Sequence, residues 1–108
     1  MSYKEDIRIY GEMISNTELS PFETLEALHI RSELQEQFSN LTKEEKIALI
    51  SYDVKLLGNA EKMIKHIGQV YNFAKSTEPI QEWWWHLNKV VDGTFQISVH
   101  VENKDKAL

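Results

Sequence analysis

The chain has 108 residues with 17 acids, 12 lysines and arginines, a formal net charge of −5 and no cysteine. That length implies one domain, 1–108; the missing cysteines exclude a disulfide framework, a thiolate metal site and a cysteine nucleophile. The acidic balance argues against nucleic acid as a partner, since phosphate binding needs a basic face, and no apolar run approaches the ~20 residues that span a bilayer.

The N-terminus has no apolar signal-peptide core, so a cytoplasmic protein with no membrane partner is expected. Residues 6–14 carry two patterns. Ile7, Ile9, Gly11 and Met13 alternate as in a strand, whereas Tyr3, Ile7, Tyr10 and Ile14 have helical spacing behind a Ser2-x-x-Glu5 box. The strand is preferred because the C-terminal segment, described below, needs a pairing partner.

A helix over 21–39 opens with Ser20, Pro21 and Glu23 as cap, first-turn proline and box partner. Ala27, Ile30, Leu34 and Phe38 form its buried stripe, while Arg31, Glu33, Glu36 and Gln37 lie on a solvated face. Glu23, Glu26, Glu33 and Glu36 make this helix acidic, a docking face for a basic partner or simply a solvated one.

The longest helix is expected over 43–75, capped by Thr42 and Glu45. One apolar stripe runs Ile47, Ile50, Val54, Leu57, Ile64, Tyr71; a second runs Leu49, Leu56, Met63, Val70. Two stripes predict a central helix covered on more than one side. Gly58 and Gly68 inside it imply either close approach of another helix or a break.

A third helix is expected over 79–92, stopped by Asp92-Gly93. It contains WWWH, Trp83 to His86. On an α-helical wheel Trp83 and Trp84 fall with Ile80, Leu87 and Val91 on the apolar arc, and Trp85 points about 160° from its centre. Trp85 would then sit among Gln81, Glu82 and Lys89 as an anchor for a protein partner or a second copy. The alternatives are that another segment of the chain covers it, or that it lies flat on Lys89. Phe95, Ile97, Val99 and Val101 then alternate with polar residues, a half-buried strand over 94–101, and residues 103–108 read as a frayed end.

Chemistry is sparse. Glu26-x-x-His29 has the spacing of carboxylate-bridged metal bundles, with His86 as a further candidate ligand, but the second copy such a site needs is missing. No Gly-x-Ser-x-Gly turn or phosphate loop occurs. Asp53 falls at the edge of an apolar stripe.

The resulting expectation is an α+β, mostly α-helical fold. Three packed helices would be joined by a short antiparallel β-ribbon from the N- and C-terminal segments, or by one formed across a dimer. The expected function is a small non-enzymatic protein-interaction module, a regulator, inhibitor or immunity-type binder, with no cofactor. Its partner would be another protein or, in a homodimer, itself. The alternative is a metal- or small-molecule-binding helical domain.

Overall fold

A computed structural model of the protein describes residues 3–16 and 18–94. Within them the chain forms five α-helices: α1 (Lys4–Ser15), α2 (Pro21–Glu36), α3 (Lys43–Gly58), α4 (Ala60–Ile67) and α5 (Leu87–Val91). Short 3-10 turns lie at Phe38–Asn40, Phe73–Lys75 and Trp83–Trp85. No strand is present among the described residues. The expected α+β fold with its β-ribbon is therefore corrected to an α-helical one. The strand expected over 94–101 lies, beyond Thr94, outside the described residues, and Thr94 itself is exposed in a bend after α5.

The N-terminal segment is helix and not strand. Ile7, Tyr10, Gly11 and Ile14 recur at three-four spacing and are all buried, whereas a strand would have sent Tyr10 and Ile7 to opposite faces. α1 packs on both α2 and α3. Its approach to α3 requires Gly11: a Cβ there would lie 2.4 Å from the Tyr52 ring. The bare backbone lets Tyr52 lie against α1, where it meets Tyr10 edge-to-face with centroids 6.5 Å apart.

The capping boxes of α2 and α3 form, and Ser2 of the box expected at the N-terminus lies outside the described residues. The Ser20 hydroxyl accepts from the Glu23 amide while Glu23 accepts from the Ser20 amide, and Thr42 and Glu45 do the same at the start of α3. Glu45 also accepts from the Tyr3 amide at 3.2 Å, which ties the start of α1 to that of α3. The helix expected over 21–39 gives way at Glu36 to a 3-10 turn that carries Phe38 to Asn40.

The helix expected over 43–75 is two helices and a turn. The chain leaves helical geometry at Asn59 (φ −111°, ψ 19°), where the side-chain Nδ2 donates to the Lys55 carbonyl at 3.1 Å. Asparagine competes for backbone partners in this way and so disfavours helix interiors. Of the two readings of Gly58, the break is the one that holds, since no described residue lies within 4 Å of a Cβ built there. α4 ends at Ile67, and Gly68 through Val70 form a turn.

The two stripes of α3 meet different fates. Glu45, Leu49, Asp53 and Leu56 face the core, continued by Met63 and Ile67 of α4. The other stripe faces outward: Ile47 and Val54 are 48% and 52% exposed, and Ile50 and Leu57 are half-buried. α3 is thus covered on one side by the described residues, where the two-stripe pattern predicts covering on both.

The helix expected over 79–92 is reduced to α5. Residues 79–82 turn, and Trp83–Trp85 adopt 3-10 geometry.

Candidate functional site

The 3-10 turn decides where the three indoles go. At three residues per turn successive side chains splay about 120° apart, so each indole meets a different neighbour. All three are buried: Trp83 is 8% exposed, Trp84 1% and Trp85 2%. Trp83 stands edge-on to Trp84 at 5.4 Å. Trp85 packs against His29 at 4.9 Å and Tyr71 at 5.2 Å.

One hydroxyl anchors this turn to α2. Ser32 Oγ accepts from Trp84 Nε1 at 3.0 Å and from Trp85 Nε1 at 2.8 Å, and donates to Glu82 Oε1 at 2.7 Å. A serine hydroxyl has one proton and two lone pairs, so its capacity is fully used. His86, also buried, places Nε2 2.9 Å from the Glu78 carbonyl. A carbonyl only accepts, so Nε2 carries the proton. The α-helical wheel fails here because tertiary hydrogen bonds outweigh local helical preference.

The surface expected around Trp85 therefore loses its anchor: another part of the same chain covers the ring. Gln81 and Lys89 are exposed and Glu82 is half-buried on Ser32, and the three are not assembled around a tryptophan. Lys89 does not take the role of a cation over Trp85; the cation seated on an indole is Arg31, with Cζ 4.2 Å from the Trp84 ring centre.

That arginine belongs to a second buried polar centre. Arg31 Nε and Nη2 donate to Asp53 Oδ1 and Oδ2, both at 2.9 Å. Tyr10 donates its hydroxyl to Asp53 Oδ1 at 2.7 Å, and Arg31 Nη1 reaches Gln35 at 3.0 Å. Burial, reinforced by the Asp53 carboxylate and partly offset by Arg31, holds the Tyr10 hydroxyl well above its ordinary titration range. The sequence pattern puts Arg31 on a solvated face; it is instead 4% exposed and joins α1, α2 and α3. Tyr10, Arg31 and Asp53 are each hydrogen-bonded within this centre, which ties α1, α2 and α3 together.

The metal candidates are not gathered. Glu26 and His29 are exposed on α2, His29 lies on Trp85, and the His86 ring is tethered to Glu78. No group of three metal-ligating side chains occurs among the described residues. Of the acidic residues of α2, Glu23 is engaged in its capping box, and Glu26, Glu33 and Glu36 are exposed.

A cleft of about 470 Å³ opens where the end of α1 meets α2 and α4, lined by Ile14, Asn16, Thr24, Lys62, Met63 and His66 among others. His66 closes one side through Nε2 to the Leu19 carbonyl at 2.8 Å.

An exposed apolar run lies on the outer stripe of α3. Ile47, Ile50, Val54 and Leu57 are separated by three, four and three residues, the spacing of a helix–helix seam. Exposed Lys43, Glu44, Ser51 and Lys55 border it. The sequence shows this stripe but not that it faces outward; the signal available was the doubling of stripes on one helix. Compared with known protein families, curated proteins and solved structures, the chain matches none.

Proposed function

We propose that the protein is a non-enzymatic interaction module and that the outer stripe of α3 is its contact surface. The observation that carries this reading is the run Ile47, Ile50, Val54, Leu57, an apolar seam in which Ile47 and Val54 are about half exposed. Contiguous exposed apolar surface marks interaction sites in soluble proteins. Three-four spacing suits an amphipathic helix laid alongside. The burial of Arg31, Asp53 and Tyr10 in mutual hydrogen bonds supports a structural use of these groups over a catalytic one.

The partner in this reading is a helix of another protein, as for a regulator, inhibitor or immunity-type binder, or the α3 of a second copy in a homodimer. The net charge of −5 and the exposed Glu26, Glu33 and Glu36 favour a basic partner. No helix among the described residues is long and apolar enough to cross a membrane, and a cytoplasmic setting accords with the cysteine-free sequence.

The test is the double variant Ile47→Glu, Val54→Glu. Its far-UV circular dichroism should match the parent, because both side chains lie outside the core. Partner capture from source lysate, or self-association by light scattering, should be lost. Unchanged capture and unchanged association would remove α3 as the contact surface.

A further inference from the structure

We propose that the cleft where the end of α1 meets α2 and α4 binds a small aliphatic monocarboxylate. Lys62 and His66 hold its carboxylate, and its hydrocarbon chain lies on Ile14 and Met63. The site shares no residue with the outer stripe of α3 and does not rest on the reading of that stripe as a contact surface.

Charge selects the sign of the ligand. The chain as a whole carries −5, yet the ionisable side chains that line this cleft, Lys62 and His66, are both basic. None of the described lining residues is acidic. The two stand one turn apart on α4 and so share a face. Lys62 is exposed and makes no ion pair among the described residues. His66 is held by Nε2 to the Leu19 carbonyl at 2.8 Å. A carbonyl only accepts, so Nε2 carries the proton and the tether fixes the ring. Nδ1 has no partner among the described residues, and in the imidazolium form it donates as well. A bound cation would meet no counter-charge here, whereas an anion takes donors from both side chains.

Shape and polarity select the rest. The cleft measures about 470 Å³, within the range of small-molecule sites, roughly 300–1,000 Å³. Its inner wall is apolar: Ile14 of α1 and Met63 of α4 line it and are 2% and 5% exposed. A bare inorganic anion leaves that wall unused, and a hydrocarbon chain laid on it gains by leaving water. α1 ends at Ser15, with Asn16 as its cap, and both residues line the cleft. The negative end of the helix dipole lies there and disfavours an anion. The carboxylate is therefore directed to α4, and the chain to Ile14.

The experiment titrates the full-length protein, with isoleucine, leucine and methionine methyls labelled, with hexanoate. The Ile14 and Met63 resonances should move saturably with one ligand per chain, and the core methyl of Leu28 should stay in place. Acetate, which has the head without the chain, and 1-hexanol, which has the chain without the head, should each bind at least about tenfold more weakly. No saturable shift at Ile14 and Met63 would overturn the proposal, and so would acetate or hexanol matching hexanoate.

Variants assign the head group. Lys62→Glu should weaken hexanoate about tenfold or more. Lys65→Glu makes the same change of charge on α4 outside the cleft and should leave binding within about twofold, since exposed charges are screened by salt. Equal losses in the two would reduce the effect to a general field and overturn the site. His66→Gln keeps a donor for the Leu19 carbonyl and removes the second ring nitrogen; it should weaken hexanoate severalfold with the thermal midpoint unchanged. Full binding by that variant would overturn the assignment of the carboxylate to His66. The double variant Ile47→Glu, Val54→Glu should bind hexanoate as the parent does, so the carboxylate site and the α3 contact surface can each fail alone.

Discussion

Arg31 and Ser32 are neighbours on α2, yet they hold together two different kinds of structure. Arg31 binds helix to helix through a charge pair with Asp53, inside regular elements whose backbones satisfy themselves. Ser32 is neutral and binds a segment that has little regular structure of its own, residues 82–85. The difference is one of dependence. α1, α2 and α3 have apolar faces to bury whether or not the ion pair forms, whereas the tryptophan turn has three backbone residues in 3-10 geometry and takes its position from side-chain contacts. Trp84 links the two centres, lying under Arg31 and donating to Ser32.

Substitutions can break this comparison, and the largest effect is expected where a charge is orphaned. Arg31→Met leaves Asp53 buried without its guanidinium and should cost about 3–5 kcal/mol, read from urea denaturation followed at 222 nm. Trp85→Ala should cost a similar ~3–5 kcal/mol as the loss of a buried aromatic. The α-helical wheel, which puts this ring outside, expects almost no change, so the measurement separates the two geometries.

Ser32→Ala is expected to be milder, about 1–3 kcal/mol, the penalty of leaving buried donors unpaired. Its signature should be local: tryptophan emission altered under conditions where helical ellipticity is intact. Equal loss of both signals would show that the turn and the helices unfold as one unit.

The smallest effect is a slope with pH. Tyr10 titrates well above its ordinary range in the folded protein and near pH ~10 when unfolded. The unfolded state therefore sheds its proton first on raising pH, so this contribution to stability is complete below about pH 10 and is lost as pH climbs through the folded value. Tyr10→Phe should flatten that decline relative to the parent in parallel alkaline denaturation series. An unchanged decline would place Tyr10 outside the buried centre.

What is legible in the sequence is what depends on near neighbours along the chain. The starts of α2 and α3 can be read because Ser20–Glu23 and Thr42–Glu45 are three-residue signals. The core stripe of α3 and α4 can be read because Leu49, Leu56 and Met63 keep one register across the break. The break itself is flagged only through Gly58, since apolar spacing continues past Asn59 as though nothing had happened. α1 is misread as a strand when a strand elsewhere is assumed to require it. The Arg31–Asp53 pair joins residues 22 apart, and the Ser32–Trp85 bond residues 53 apart; no local pattern announces either. The tryptophan turn is misjudged for that reason, as a distant hydroxyl sets its geometry. The outward stripe is visible as a pattern, but periodicity reports which residues share a face and not whether that face is covered.

Because all three tryptophans of the chain stand in one turn, the protein carries a built-in optical probe of a single corner. Near-ultraviolet dichroism and intrinsic emission will follow the seating of residues 83–85 on α2 and will be nearly blind to α3, which has tyrosine alone. A ligand that quenches the indoles must act at that corner or through α2, whereas one that binds the outer face of α3 will be spectrally silent and needs a label placed there to be seen.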